Sequence, residues 1–290
     1  MNEPLLPFRP LTIDDYDLVR NMQTGIQDDY VLHIFPDLIQ SKTQALFGWF
    51  DKNRLVSIAG YSIFPGGYAM LGRLRSDIRF RENGHATSLL AYIIDMLIHT
   101  SSVNWIGANT NIHNYRARKV LKKLHLDELT TLYSFPVKAN TIIKGKEGEI
   151  WTKITSLTDK RKLIKQLKIE NALHVYPFEC YYPMPYSDAL LTDEELAHST
   201  FYLNPTNDRF MIIKNDQKRE WFAHVKYFWN DHFEQAGFWN TINHHVNHDG
   251  LHPRPWFDFS KEGVANIPNI KLFDVSDGWI LYGKWINVQL

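Results

Sequence analysis

Apolar and polar positions change period several times along the first half of the chain, and each change marks an element. Residues 5–10 read as a short strand, and Thr12-Ile13-Asp14-Asp15 then supplies a cap and acidic groups where a helix N-terminus favours them. That helix carries Tyr16, Val19 and Met22 inward, and a short segment interrupted by Pro36 follows. Strands are predicted at 45–50 and 55–64, separated by the hairpin turn Asp51-Lys52-Asn53. Pro65-Gly66-Gly67 turns the chain again into a third strand at 68–78, so the three form an antiparallel meander. Leu89, Leu90, Ile93, Ile94 and Leu97 then recur at helical spacing after Gly84. A strand at 103–108, a helix carrying Ala117, Val120, Leu121 and Leu124, and a strand at 131–137 complete this half.

The polar, glycine-bearing stretch 138–149 reads as a linker, giving domains at 1–140 and 150–290. Beyond it the pattern is less legible. A strand at 150–154 leads into a helix at 158–171 with a basic exposed face, followed by short aromatic-rich strands, long loops and the histidine-rich stretch 243–253. The fold class expected is α+β with a mixed sheet in the first half and a second α+β domain after it.

Composition narrows the function classes. With 290 residues, 44% of them apolar, the chain can bury a sizeable core. Lys and Arg number 32, as do Asp and Glu, so no global field gathers polyanions and nucleic acid is not an expected partner. A single cysteine, Cys180, precludes an internal disulfide. The start MNEPLLPFRP lacks the pattern of a signal peptide, and the most lipid-like stretch, 89–98, contains Asp95 and falls short of the roughly 20 residues of a membrane span. No membrane partner is expected, and the chain is read as cytoplasmic.

The chemistry concentrates in LRSDIRFRENGHAT, residues 74–87. Here a strand runs through the turn Arg81-Glu82-Asn83-Gly84-His85-Ala86 into the helix of Leu89 to Leu97. Such a turn aims consecutive backbone N–H groups, reinforced by the helix dipole, at one spot. Gly84 permits close approach of the backbone, and Ala86 keeps the first turn uncrowded. A pyrophosphate fits that cradle best. One strand later comes Asn114-Tyr115-Arg116-Ala117 followed by Val120-Leu121-Lys122-Lys123-Leu124.

The R-x-x-G-x-A turn, the N-x-x-A…L-x-x-L helix, the opening FRPLTIDDYDLVRNM and the order of elements together resemble the GNAT family of N-acyltransferases over about 130 residues. The resemblance implies a sheet whose two central parallel strands splay apart, and acetyl-coenzyme A as co-substrate in the gap. It also implies an acyl transfer to the amine of a small molecule or peptide. By the same resemblance Leu74, Arg75 and Ser76 would pair through their backbones with the pantetheine arm. Arg81, Glu82, Asn83, Gly84, His85, Ala86 and Thr87 would hold the pyrophosphate, Asn114 would contact the pantetheine or its thioester end, and Ala117 would belong to the same cofactor site. The chain departs from the family at Leu121, where many members have the tyrosine that protonates the leaving thiolate. Tyr115 and Tyr133 are the substitutes for that acid, and Asp77 is the candidate base. Glu82 stands where glycine is common, and His125-Leu126 replaces a glycine-phenylalanine pair. The missing tyrosine keeps a second reading open, a coenzyme A-binding or regulatory module without turnover.

Other groups read as structural. His244, His245, His248 and His252 suggest a surface loop or substrate wall more than a metal site, and no metal is expected. Lys160, Arg161, Lys162, Lys165 and Lys168 read as a solvated helix face; Arg116, Arg118, Lys119, Lys122 and Lys123 lie beside Asn114, where they can neutralise coenzyme A phosphates. Cys180 reads as a packed thiol, because no base partner is visible in sequence. Most of Trp221, Trp229, Trp239, Trp256, Trp279 and Trp285 are expected in core. Proteins with two GNAT-like halves exist, and the second half, which lacks an R-x-x-G-x-G/A turn, is compatible with a relic of that kind.

Overall fold

Lys52 and Asn53 both adopt positive φ (45° and 67°), which makes the two-residue turn whose twist matches paired strands. That turn joins β2 (Gln44–Asp51) to β3 (Arg54–Phe64), and with β1 (Phe8–Pro10) and β4 (Tyr68–Ser76) they form the expected antiparallel meander. The computed structural model describes residues 7–80, 83–167 and 171–286. Its chain clusters into two units. The first takes the described residues up to Asn109, Asn114–Glu128 and those from Tyr282 on; the second takes Thr110–His113 and Leu129–Leu281.

In the first unit the strands run in the order β1-β2-β3-β4-β5, with β5 (Trp105–Asn111) parallel to β4. The crossover between them is α3 (His85–Ile98), which buries Leu89, Leu90, Ile93, Ile94 and Leu97, the stripe anticipated from their spacing. After a single 3-10 turn at Ile13–Asp15, α1 (Tyr16–Arg20) buries Val19. The Pro36 segment is a helix, α2 (Tyr30–Gln40), rather than an interruption. Asp29 caps it by accepting from Val31 N at 3.1 Å. Val31, Phe35 and Leu38 are buried beside Leu46, Leu55 and Ile58, and this apolar burial outweighs the hydrogen bond that proline cannot donate. A fourth helix, α4 (Tyr115–Lys123), follows β5 and leads to β6 (Asp127–Pro136).

The second unit repeats this order. Its sheet runs β7-β10-β11-β12-β13-β6, from β7 (Thr152–Ile154), β10 (Thr200–Leu203), β11 (Phe210–Gln217), β12 (Trp221–Lys226) and β13 (Arg254–Phe259). Every step is antiparallel except β12 to β13, which is parallel and crossed by α7 (Phe238–His248). Between β7 and β10 lie α5 (Leu157–Gln166), the hairpin β8 (Tyr176–Glu179) and β9 (Tyr182–Met184), and α6 (Asp193–Ala197). After β13 come α8 (Lys261–Ala265) and β14 (Trp279–Trp285). The unit is a second, altered copy of the same mixed α+β plan.

Two expectations need correcting here. Lys160 does not belong to a solvated face of α5: it is 6% exposed, and its Nζ donates to Leu196 O and Ser199 O, both at 2.7 Å. A lysine one turn into an amphipathic helix lands on the buried stripe, and these two carbonyls satisfy its charge. Lys168 lies outside the described residues. Of the tryptophans, Trp239 and Trp256 are buried and Trp229 packs against the core, but Trp221 and Trp285 are exposed at 36% and 42%. Among the described residues, no helix is long and apolar enough to cross a membrane.

Candidate functional site

The pairing of β4 with β5 stops early. Tyr68 to Leu71 match Trp105 to Ala108, but β4 continues to Ser76 while still bonded to β3, reaching Ser57 opposite Ser76. From Gly72 on, the edge of β4 that faced β5 is therefore released, and the two strands part at their carboxyl ends. Parallel strands followed by helices gather helix N-termini at that same end, which is where α/β sheets accept ligands.

A β-bulge lies at the point of divergence. Gly60 pairs with Gly72 and Ile58 with Arg75, so Arg73 and Leu74 together oppose Ala59 alone. Arg73 takes φ 57°, a left-handed conformation unusual for a side chain of its bulk. Its guanidinium holds it there, reaching Gln44 Oε1 and Ser62 Oγ (3.1 Å). A Cβ built on Gly72 meets nothing within 4 Å, so the backbone borders open space. Arg75 spends its side chain elsewhere: Nε and Nη2 grip the Asp29 carboxylate at 2.6 and 2.8 Å, tying the cap of α2 to β4. Asp29 sits below the usual carboxylate range, because this guanidinium and Val31 N–H overcome the opposing effect of burial. Leu74 and Ser76 complete the released edge, with Ser76 Oγ 3.1 Å from Ser57 Oγ.

The turn before α3 carries the second feature. Gly84 is the N-cap with φ 81°, in the left-handed region, and no side chain among the described residues caps the helix. A Cβ built on Gly84 also meets no described residue within 4 Å. Among the described residues, open space therefore borders the backbone at Gly84, at the positive end of a 14-residue helix. Around it, the His85 ring packs on Trp49 (centroids 5.4 Å apart), and Ala86 and Thr87 are half-buried. Arg81 and Glu82, the first two residues of the predicted motif, lie outside the described residues.

Asn114 caps α4, its Oδ1 accepting from Ala117 N at 3.1 Å. The N-x-x-A spacing is therefore first a helix cap. It brings a second helix N-terminus to the carboxyl ends of the parallel pair. Tyr115, the first residue of α4, is 68% exposed, with Arg118 5.7 Å from its ring. Arg118 also donates to Tyr282 Oη at 3.4 Å, and that hydroxyl donates to Glu128 Oε2 at 3.1 Å. Leu121, at the position of the family's tyrosine, is buried at 4% exposure.

The remaining catalytic candidates fall elsewhere. Asp77 is fully buried and accepts from Gln23 N (3.1 Å), Arg79 N (3.0 Å) and the Arg79 guanidinium (2.8 and 2.5 Å). The guanidinium above all, with the two backbone amides, pulls its carboxyl down to about 2. A carboxylate so saturated holds the turn together and has little affinity for a proton. Tyr133 lies on β6 and packs against the aromatic core of the second unit. Of the three candidates, Tyr115 is the one exposed to solvent, at the N-terminus of the helix that follows β5.

The corresponding place in the second unit is closed. Gly237 caps α7 with φ 75°, again with no side-chain cap, as Gly84 does for α3. Yet a Cβ there would lie 2.0 Å from Glu149 O, and Gly237 N already donates to Lys146 O at 3.0 Å. The segment read as a linker covers this helix end with its own backbone. Pairing of β12 with β13 also runs to within one residue of the end of β12, so no released edge remains.

No protein-family model and no curated protein matches this sequence. Solved structures do. A GCN5-related N-acetyltransferase from Sphaerobacter thermophilus superposes with a TM-score of 0.55 at 11% identity, covering 98% of this chain and 96% of that one. Presumptive acetyltransferases from Thermoplasma acidophilum and Pyrococcus horikoshii both give 0.54. The first has 14% identity over 96% of this chain and 99% of its own. The second has 11% identity over 99% and 92%. The fold is that of the GNAT N-acyltransferases, and the likeness extends through both units.

Proposed function

We propose that the chain is an N-acetyltransferase that moves an acetyl group from acetyl-coenzyme A to a primary amine. The observation that carries this reading is the conjunction of a released β4 edge with an uncapped, open helix N-terminus one turn beyond it. Open space at Gly72 and Gly84 fits a donor that lays an amide-bearing arm along a strand and ends in a diphosphate. The backbones of Leu74, Arg75 and Ser76 would receive the arm, and the amides of Asn83 to Thr87 the diphosphate. Arg81 and Glu82 belong to the same proposal by sequence.

Bound acetyl-coenzyme A supplies an activated acyl carbonyl. The chain supplies position and charge stabilisation. An amide of the Arg73–Leu74 bulge, freed from the ladder, is suited to stabilise negative charge developing on the acyl oxygen. The acceptor must attack as a neutral amine. For an amine of pKa about 10.4, reaching that state at pH 7 costs about 4–5 kcal/mol. Asp77, held near 2, is unsuited to take the proton, and release of that proton to solvent is the route proposed here. Tyr115 is the donor proposed for the departing thiolate, in place of the residue that Leu121 replaces. Tyr115→Phe is expected to lower kcat on the order of 100-fold and leave donor binding unchanged. An unaltered rate removes Tyr115 from the mechanism.

A second reading, a coenzyme A-binding or regulatory module, draws on the buried Leu121. Release of free thiol from acetyl-coenzyme A, measured with small-molecule and peptide amines across pH 6 to 9, separates the two. Turnover with any amine supports the enzyme, whereas donor binding without turnover supports the module.

A further inference from the structure

The second unit contains a polar cluster that acyl transfer does not use. Cys180, Asp216 and His224 each bring one metal-ligating atom to within 4.8 Å of the others. They come from three places in the fold, the β8–β9 turn, β11 and β12, so no local sequence motif joins them. Cys180 and His224 are buried, at 0% and 1% exposure.

The surroundings orient each group. His224 Nε2 lies 2.6 Å from Asp258 Oδ2, and Ser134 Oγ donates to the other oxygen of Asp258. With Nε2 donating to Asp258, the ring's lone pair is on Nδ1. This is the carboxylate–histidine arrangement that fixes the ring of a metal-bound imidazole. Asp216 Oδ2 accepts from Cys180 N at 2.8 Å and meets Lys218 Nζ at 3.2 Å, and the Asp216 carboxylate also hydrogen-bonds the Cys180 thiol. Asp216 and His224 both line a cavity of about 240 Å³, which gives a path inward and room for a fourth ligand.

We infer that Cys180 Sγ, the Asp216 carboxylate and His224 Nδ1 form a binding site for a borderline-soft divalent cation of the zinc type. A thiolate, a carboxylate and a neutral imidazole together carry the two negative charges that such an ion neutralises. Three protein ligands with a fourth position toward a cavity match the open coordination of zinc. Tetrahedral zinc needs ligand atoms about 3.5 Å apart, so small side-chain rotations close the set. Burial beside Asp216 and Asp258 pushes the Cys180 thiol well above its ordinary value, so the free thiol is not a nucleophile. Ligation takes the thiolate, and the thiol proton passes to solvent as the ion binds.

Because Cys180 is the only cysteine, a cobalt–thiolate charge-transfer band can arise from this site alone. The full chain, dialysed against chelator and titrated with cobalt(II), is expected to develop that band with one equivalent, and zinc(II) is expected to abolish it. Cys180→Ser is expected to lose the band, and Asp258→Asn to keep it with affinity 10- to 100-fold weaker. His244→Ala with His248→Ala, which alter histidines of α7 that line a different cavity, are expected to leave it intact. A folded wild-type chain that shows no charge-transfer band at stoichiometric cobalt overturns the proposal, as does a band that survives Cys180→Ser.

Discussion

Within the turn after β4, the Asp77 carboxylate joins the Arg79 guanidinium to the backbone of Gln23, and its lowered pKa is a stability term. The unfolded carboxyl titrates near 3.9, and the folded one at about 2. The ionised form therefore favours the native state. This stabilisation is complete above about pH 5 and is lost as pH falls toward 2, amounting to about 2 kcal/mol because Arg79 is half exposed. Asp77→Asn is expected to destabilise the chain by about that amount at pH 7 and by much less near pH 2.5, read by urea denaturation. An unchanged stability with lost turnover would instead return Asp77 to catalysis. Lys160 gives a parallel case. Its truncation to Ala is expected to cost about 2–3 kcal/mol in the same assay by leaving two buried carbonyls unpaired, while Lys162→Ala stays within about 0.5 kcal/mol. Neither role is legible in sequence. The ladder Lys160-Arg161-Lys162 looks uniformly solvated, and only the packing of α5 selects one of the three for burial.

At the scale of elements, the legible features were those carried by local pattern. Gly84 before the Leu89–Leu97 stripe specified α3 and its open N-terminus, and Asp51-Lys52-Asn53 specified the β2–β3 turn. The Pro36 helix escaped the same reading because its stability comes from three buried side chains, a tertiary effect that overrides a local breaker. The Arg73 bulge also left no trace, since it depends on Gln44 and Ser62 holding a strained residue from the neighbouring strands. Gly84→Val tests the α3 terminus directly. It places a branched side chain at φ 81° and into the open approach. Affinity for acetyl-coenzyme A is expected to fall at least 10-fold, measured by thermal shift against ligand concentration. Gly250→Ala, in open space without the positive φ, is the control and is expected to bind as wild type. Equal affinity for both variants would separate α3 from the donor.

Across the whole molecule, two units share one order of strands and one parallel crossover but differ at the helix that follows the central strand. In the first, the backbone around Gly84 borders open space; in the second, residues 146–149 close over Gly237. The sequence suggested a second GNAT-like half only through its family resemblance, because nothing local marks β12, α7 and β13 as a repeat of β4, α3 and β5. The closure was equally hidden, as it depends on a polar stretch indistinguishable from a linker. The Cys180, Asp216 and His224 cluster was invisible for the same reason, its members lying on three separate elements. One open socket per chain is the claim on which the functional reading rests. Isothermal titration of the full chain with acetyl-coenzyme A tests it most directly. The expected result is saturable heat with one site per chain, absent or sharply weakened in Gly84→Val. No heat and no thermal stabilisation at millimolar donor, or two equivalent sites per chain, would contradict it.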